Sequence, residues 1–405
     1  MYFRKGFGLK SEIEGELEAD YGGRVVDYLR EHEYRLESGD LTIRLAREFG
    51  FCYGVERAVE YAYQTRRKFP ERRLFLVGEI IHNPHVNGRL REMGVEILLR
   101  GPHGFDFSRL APDDVVILPA FGVTIDDFAA LREIDCVLVD TTCGSVLNVW
   151  KRVESYARDG FTALIHGKYY HEETRATASQ VRKAGDGHYL IVRNMAEAAV
   201  VCEFLEGRRP VSDIVGRFAP HAVSPGFDPD EHLRRIGVAN QTTMLASESL
   251  AIAAAVGAAM ERGRGAAARA TDFRSFDTIC SATQERQDAV RELLDEPLDL
   301  MVVIGGFNSS NTISLASLCA ERVATYHIET PEAIDPAGGT IHYRLPGIPD
   351  RQTTRGAWLP EGRTVVGITA GASTPNSKIG EVVQRILAYR DLRSTAHAGS
   401  AGHGA

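Results

Sequence analysis

Short apolar strands alternate with amphipathic helices along most of this chain, and this alternation restricts its fold more than any other feature. RLFLVGEI is followed by HNPHVNGRLREMG, and CVLVDTTC leads into SVLNVWKRVESYARDG, whose apolar residues have helical spacing. Strands of about four to eight apolar residues separated by helices are typical of parallel α/β units. The sequence therefore predicts an α/β protein built from about three such modules.

The same pattern predicts how the chain is divided. Residues 1–40 are predicted to form a charged, mainly helical N-terminal extension. The three α/β modules are predicted at 41–142, 143–279 and 280–392, and a disordered tail at 393–405. Two stretches rich in Pro, Gly and charge, 206–231 and 331–362, are predicted to be surface loops or insertions.

Composition limits the classes of function. The chain has 405 residues and a formal net charge of −8, whereas affinity for a nucleic-acid backbone comes mainly from clustered Lys and Arg. No apolar run approaches the length that crosses a bilayer, and the N-terminus lacks the apolar core of a signal peptide. The six cysteines are scattered, unlike the disulfide frameworks of small secreted domains. We therefore expect a cytoplasmic protein that binds neither nucleic acid nor membrane.

Three cysteines lie in turns rich in small or hydroxyl residues. Cys52 lies in GFCYGVERA, Cys143 in DTTCGSV and Cys280 in DTICSATQER. The carboxyl ends of parallel strands are where ligands collect, and a helix N-terminus favours a thiolate. Three such thiolates would leave one iron of a four-iron cluster open to substrate. The alternative is that each cysteine is a small buried hydrophobe, as predicted for the other three, Cys136, Cys202 and Cys319.

Polar residues follow several of the predicted strands. His82, His85, His166 and His171 lie after two of them; either pair could be structural, but four such histidines in two similar contexts suggest an anion pocket with proton donors. Hydroxyl and amide donors occupy further strand-to-helix turns, at Thr242, Ser309, Ser310, Asn311, Thr312 and Ser373. Such turns bind phosphate oxygens, although Ser, Thr and Asn also cap helices everywhere. Glu173 could hold and deliver a proton, or it could be a solvated residue of a first helical turn.

Long motifs of the chain resemble one family. HNPHVNGRLREMG, VDTTC, HEETRATASQ, ANQTTML, DTICSATQERQ, GGFNSSNT and ITAGASTPNSK are similar to those of the 4-hydroxy-3-methylbut-2-enyl diphosphate reductases, in their longer plant and cyanobacterial branch. The resemblance runs from about Phe3 to about Tyr389. It implies a three-lobed α/β trefoil around a central 4Fe-4S cluster held by Cys52, Cys143 and Cys280.

The resemblance also implies a reaction and its residues. Reductive dehydroxylation of the allylic diphosphate would give isopentenyl and dimethylallyl diphosphates, with electrons from a ferredoxin or flavodoxin. Glu173 would be the proton relay. The residues around the diphosphate and carbon chain would be His82, His171, Thr242, Ser309, Ser310, Asn311 and Ser373.

The chain departs from the family pattern at three places, the mildest of which is ICSAT, where an acidic residue is expected after the cysteine. Phe121 stands in PAFGVT where many members have a histidine, which agrees with the longer branch. Gly144 and Ser145 stand where a Pro-Trp pair is expected after the cysteine. Two alternatives therefore stay open: another open-iron 4Fe-4S enzyme, such as a dehydratase or a quinolinate-synthase-like enzyme, and a non-catalytic sensor paralogue. The full set of motifs favours the reductase.

Overall fold

The computed structural model describes residues 1–348 and 351–401, with backbone alone for Ala184 and 394–401. The chain divides into two compact units. Unit 1 comprises Met1–Phe7, Arg57–Ile80 and Arg89–Cys280, and unit 2 comprises Gly8–Glu56, Ile81–Gly88 and the chain from Ser281 onward. Each unit encloses its own hydrophobic cores.

The regular elements alternate along the chain as the sequence pattern predicts. The strands are β1 (Tyr2–Phe3), β2 (Arg35–Ser38), β3 (Leu41–Leu45), β4 (Leu74–Val77), β5 (Val95–Leu98), β6 (Arg100–Gly101), β7 (Gly104–Phe105), β8 (Val115–Leu118), β9 (Val137–Asp140), β10 (Thr162–His166), β11 (Tyr189–Val192), β12 (Ile236–Asn240), β13 (Phe273–Ser275), β14 (Leu300–Ile304), β15 (Ala324–Ile328), β16 (Ile334–Asp335), β17 (Thr340–Arg344), β18 (Gln352–Gly356) and β19 (Thr364–Ala370). The helices are α1 (Lys10–Tyr21), α2 (Arg24–Glu31), α3 (Tyr53–Lys68), α4 (Pro84–Glu92), α5 (Ile125–Ile134), α6 (Gly144–Arg158), α7 (Glu172–Ser179), α8 (Met195–Leu205), α9 (Val211–Phe218), α10 (Pro229–His232), α11 (Ala246–Arg264), α12 (Ala266–Asp272), α13 (Ser281–Leu294), α14 (Ser310–Ala320) and α15 (Asn376–Ala401).

Unit 1 contains two parallel sheets. The first has the strand order β1-β9-β8-β4-β5, and the second has the order β11-β10-β12-β13. Every residue of β4, β8, β9, β10 and β12 is buried. Continuous burial is expected of parallel strands that are covered on both faces, and it explains why these strands are mostly apolar in sequence.

Unit 2 contains a sheet with a parallel centre and antiparallel edges. Its order is β16-β17-β15-β14-β19-β3-β2, and β18 pairs with β17. The first predicted module begins at residue 41, yet β3 pairs in parallel with β19, with Leu41 opposite Thr364. Membership of a sheet therefore does not follow chain order here, because this pairing joins strands from opposite ends of the sequence.

The α/β class predicted from the sequence is confirmed by these three sheets. The stretches predicted as loops are partly regular, since 206–231 holds α9 and the start of α10 and 331–362 holds β16, β17 and β18. In the first of these stretches, Asp228 is the N-cap of α10 and Pro229 is its first residue, so these two residues begin a helix. Residues 349–350 of the second stretch lie outside the described residues.

The ends of the chain have regular structure where they are described. The predicted extension, 1–40, contains α1 and α2, and its first strand pairs with β9. The predicted disordered tail, 393–405, begins within α15, and residues 402–405 lie outside the described part. Among the described residues, none of the helices combines the length and the apolar character needed to cross a membrane.

Candidate functional site

Each of the three candidate ligand cysteines lies between a strand and a helix. Cys52 immediately precedes α3, Cys143 is the N-cap residue of α6, and Cys280 immediately precedes α13. Cys52 belongs to unit 2, whereas Cys143 and Cys280 belong to unit 1. The predicted strand-to-helix position is thus confirmed for all three. Each sulfur has the partial positive charge of a helix N-terminus beside it, which is a favourable position for an anionic metal ligand.

The backbone hydrogen bond made by each of these cysteines has the same pattern in all three sheets. The strand before each cysteine pairs in parallel with a neighbour: β3 with β19, β9 with β8, and β13 with β12. Each cysteine N–H donates to a carbonyl two residues beyond the end of that neighbour: Cys52 to Ala372 (3.2 Å), Cys143 to Ala120 (3.0 Å) and Cys280 to Thr242 (3.2 Å). This repetition shows that the three turns are built alike.

The remaining cysteines differ from these three in burial. Cys136, Cys202 and Cys319 are buried, whereas Cys52, Cys143 and Cys280 are partly accessible. Burial raises the pKa of the Cys202 thiol to about 11 and that of Cys319 to about 12, so both stay protonated at neutral pH. Burial also raises the pKa of Cys136. The prediction that these three are structural is therefore confirmed, and the accessible three are the thiols suited to metal ligation.

In unit 1, Thr242 connects the candidate proton relay to a candidate ligand. The Thr242 N–H donates to Oε1 of Glu173 at 2.6 Å, and its carbonyl accepts the Cys280 N–H. Glu173 is 1% exposed, so the interpretation of this residue as a solvated helix-end acid is wrong. Gln241 supports the same turn, because its Oε1 accepts from the Lys168 N–H and the Thr174 hydroxyl.

His171 caps the helix that carries Glu173. Its Nδ1 accepts the Glu173 N–H at 3.1 Å, so in the neutral ring the proton lies on Nε2. Phe121, the residue that replaces the histidine of many family members, packs edge-on against this ring with centroids 5.6 Å apart. The PAFG turn therefore gives His171 an apolar neighbour.

The departure after Cys143 leaves the start of its helix intact. Cys143 still caps α6, and a side chain at Gly144 would meet nothing within 4 Å. Trp150, further along α6, packs against the PAFG turn, since a Cβ on Gly122 would lie 2.3 Å from its ring. Gly122 has φ +75°, which a residue with a side chain rarely adopts.

In unit 2, His82 lies against the glycine-rich turn after β14. Its Nδ1 accepts from Nδ2 of Asn308 at 3.1 Å, which again leaves the proton of the neutral ring on Nε2. The His82 carbonyl accepts from the Ser373 hydroxyl at 3.1 Å. A Cβ at Gly306 would lie 2.6 Å from that carbonyl, so only glycine permits this approach. His82 and Ser373, which the resemblance assigns to one pocket, are thus brought together.

The NSSN turn begins α14 and combines capping with a donor that lacks a partner. Ser309 is the N-cap, and its Oγ accepts from the Thr312 N–H at 3.3 Å, so the capping interpretation holds for this residue. Asn311 is 2% exposed, and its Oδ1 accepts from the Ala372 N–H at 2.9 Å. Its Nδ2 is buried with no partner among the described residues. A buried unpaired donor is costly, and an acceptor bound there would offset this cost.

Two histidines of the sequence motifs are not suited to proton transfer at neutral pH. Burial lowers the pKa of His166 to about 4, and its Nδ1 contacts the Ser249 hydroxyl at 2.8 Å. Burial and then the positive charge of Lys378 lower the pKa of His85, which packs edge-on against Tyr21. Sequence reasoning missed the role of Asn308 at His82, although Asn308 lies in the GGFNSSNT motif.

Similarity to known proteins supports one family. A model of the LytB protein family matches residues 43–387. The chain belongs to the LytB family. Two LytB relatives, the 4-hydroxy-3-methylbut-2-enyl diphosphate reductases of Synechococcus sp. and Thermosynechococcus vestitus, are 48% and 46% identical over 387 and 396 residues. These alignments cover 95% and 98% of this chain, and 95% and 96% of the relatives. Both relatives are cyanobacterial, which agrees with the predicted branch.

Solved LytB-like structures agree with the fold. A structure of (E)-4-hydroxy-3-methyl-but-2-enyl diphosphate reductase, described as the terminal enzyme of the non-mevalonate pathway, is 27% identical with a TM-score of 0.52. The match covers 85% of this chain and 98% of that chain. The corresponding reductase from Plasmodium falciparum, 20% identical with a TM-score of 0.60, covers 84% of this chain and 86% of that chain. The second likeness supports the fold alone.

Proposed function

We propose that this protein reduces 4-hydroxy-3-methylbut-2-enyl diphosphate to isopentenyl and dimethylallyl diphosphates, the terminal step of the non-mevalonate pathway. Two electrons and two protons break the allylic C–O bond, form a C–H bond and release the hydroxyl as water. Membership of the LytB family and near full-length similarity to named reductases support this activity. The observation that carries it is the connection of buried Glu173 and of Cys280 through one residue, Thr242.

A 4Fe-4S cluster is the proposed cofactor, and its protein ligands are Cys52, Cys143 and Cys280. The three thiols fit this role because they are accessible, begin helices and share one backbone geometry. When bound, the cluster supplies the electrons and a Lewis-acidic iron. We propose that a ferredoxin or flavodoxin delivers the electrons singly, and that six thiols without a disulfide suit a reducing, cytoplasmic compartment.

Glu173 is the proposed proton relay. Its carboxyl is shielded from water, and the N–H of Thr242 fixes the orientation of Oε1. Oε1 accepts this hydrogen bond. We therefore propose that Oε2 carries the proton that Glu173 passes on. A carboxyl group held in place and out of water can pass a proton to a leaving hydroxyl, which leaves as water rather than as hydroxide.

The diphosphate is the proposed ligand of the donors at the strand ends. His82 and His171 each present Nε2–H, because Nδ1 of each ring is already an acceptor. The unpaired Nδ2 of Asn311 supplies a further donor. Hydrogen bonds to charged oxygens are about twice as strong as neutral ones, so a diphosphate would offset the cost of this orphaned group. The hydroxyl residues proposed beside them are Thr242, Ser309, Ser310 and Ser373.

Anaerobic reconstitution with iron and sulfide tests the proposal. Mössbauer and EPR spectra with and without the hydroxylated substrate should show a 4Fe-4S cluster with one iron that responds to it, and reduced viologen should drive release of both products. A cluster that ignores the substrate would favour another open-iron enzyme or a sensor. Absence of any cluster would contradict the proposal.

Substitution of Glu173 tests the relay separately. Glu173→Gln preserves an oxygen acceptor for Thr242 but cannot transfer a proton, so the cluster should remain while turnover falls about 10²–10⁴-fold. Glu261→Gln, which changes an exposed carboxylate on α11 of the same unit, is the control and should keep full activity. Normal turnover of Glu173→Gln would show that the relay assignment is wrong.

A further inference from the structure

Arg286 is a buried arginine of α13 whose guanidinium is bound entirely by backbone carbonyls. The residue is 3% exposed. Its Nε and Nη2 donate to the Gly50 carbonyl at 3.2 and 2.8 Å, and Nη2 also donates to the carbonyls of Phe49 (3.4 Å) and Phe51 (3.2 Å). Its Nη1 donates to the Ala282 carbonyl at 2.8 Å. The side chain therefore holds the backbone of the turn that leads directly into Cys52.

The charge of Arg286 has no ion-pair partner. Among the described residues, no carboxylate lies within salt-bridge distance of it, although the partly exposed Arg291, on the same helix, pairs with Asp288. Carbonyl dipoles satisfy its hydrogen bonds but do not neutralise a buried charge, which is costly without an opposite charge. An anion bound nearby would offset this cost.

A second arginine makes the same kind of contact at another cysteine. Arg57 on α3 donates through Nη2 to the carbonyl of Thr142 and, at 3.5 Å, to that of Thr141, which are the two residues before Cys143. Its Nε is buried without a partner, and no described carboxylate pairs with it. Both arginines follow a candidate ligand by about one and a half helical turns, Arg57 after Cys52 and Arg286 after Cys280.

We infer that Arg286 is a positioning residue of the metal centre. It fixes the turn of Cys52, and its positive charge balances the Cys52 thiolate and the negative charge that the cluster gains on reduction. Arg57 has the same role at Cys143. This inference rests on the proposed function, because it needs a cluster bound through these sulfurs. A cation near a redox centre stabilises the reduced, more negative state, so its removal lowers the reduction potential.

Paired substitutions separate the charge from the hydrogen bonds. Arg286→Lys keeps the charge and loses the planar fork of donors, whereas Arg286→Gln keeps donors and loses the charge. Arg291→Gln, at the partly exposed position on the same helix, is the matched control. Each full-length variant is reconstituted anaerobically; bound iron, the rate of iron loss to a chelator, and the one-electron midpoint potential are measured.

We expect the midpoint potential of the cluster to depend on whether residue 286 carries a positive charge. Arg286→Gln should shift the reduction equilibrium at least tenfold toward the oxidised cluster. For one electron, this corresponds to a midpoint potential lower by about 59 mV. Arg286→Lys should keep a near wild-type potential while it loses iron faster to the chelator, and Arg291→Gln should match wild type. If Arg286→Gln does not fold, Arg57→Gln should show the same lowering at a residue that is less buried.

Two results would overturn the inference. One is an unchanged potential in the Gln variants that retain a cluster. The other is an equal loss of iron and equal potential in the Lys and Gln variants, because charge would then have no role. Wild-type protein that binds no cluster would instead refute the proposed function, and this inference with it. Wild-type protein that binds a cluster, with variants whose potential and rate of iron loss are unchanged, would refute the inference alone.

Discussion

Acidification should destabilise unit 2 through one buried histidine, His327. This residue of β15 is 1% exposed, and its Nε2–H donates to the Gly305 carbonyl at 2.9 Å, at the start of the glycine-rich turn that packs on His82. Burial, and to a lesser degree the charge of Arg344, lowers the pKa of His327 to about 4 from 6.5. The folded protein therefore binds this proton less readily than the unfolded chain does.

The size of the effect follows from these two pKa values. Between pH 6.5 and pH 4 the unfolded chain takes up a proton that the folded unit refuses, so the stabilisation is present above pH 6.5 and is lost as the pH falls. Linkage gives a loss in the free energy of unfolding of about 2 kcal/mol by pH 5 and about 3 kcal/mol by pH 4. That is a large fraction of the stability of an ordinary domain, about 5–15 kcal/mol.

Urea unfolding over a pH series measures this loss. The fluorescence of Trp358, which is buried in the core of unit 2, reports on the unit that contains His327. His327→Gln keeps a donor for the Gly305 carbonyl but cannot titrate, so the variant should lose about 2 kcal/mol less than wild type between pH 7 and pH 5. His342→Gln, at an exposed position of β17, is the control and should follow wild type. Parallel curves for wild type and His327→Gln would refute the reasoning.

Two further predictions test the ligand set and the His82 turn. Cys143→Ser should lose bound iron and activity together, whereas Cys202→Ala, at a buried thiol, should retain the iron; equal iron content in the two variants would contradict the ligand assignment. Gly306→Ala should push the His82 carbonyl away from the glycine-rich turn, since the new Cβ would lie 2.6 Å from that carbonyl. This change should lower the free energy of unfolding by about 1–3 kcal/mol and raise KM for the diphosphate. Gly88→Ala, where a Cβ meets nothing within 4 Å, is its control in a helix of the same unit, and similar KM values for both would argue against the close approach.

The elements with strong local patterns were predictable. Runs such as β4 and β8 are apolar at every position because both faces are buried, and this is visible in the sequence alone. The stretch 206–231 was not predicted correctly, because its Pro and Asp residues start helices as well as turns, and the sequence does not distinguish the two uses.

Long-range contacts decided the rest of the candidate site. The hydrogen bonds from Arg286 to the turn of Cys52 join residues 236 apart, and Ser373 reaches the His82 carbonyl across 291 residues. Asn311 looks like an ordinary helix-start residue in the sequence, and only its packed position shows one amide atom bonded to Ala372 and the other without a partner. Periodicity carries no information about such contacts.

The sequence by itself determined the α/β class, the strand-to-helix position of Cys52, Cys143 and Cys280, and the family resemblance, because each depends on residues that are neighbours in the chain. Only the tertiary structure decided that β3 joins β19, that Glu173 and Cys280 share Thr242, and that Arg286 is buried without a counter-charge. The physical reason is that local propensity acts over a few residues, whereas burial, pairing and charge compensation depend on which distant segments the fold brings together.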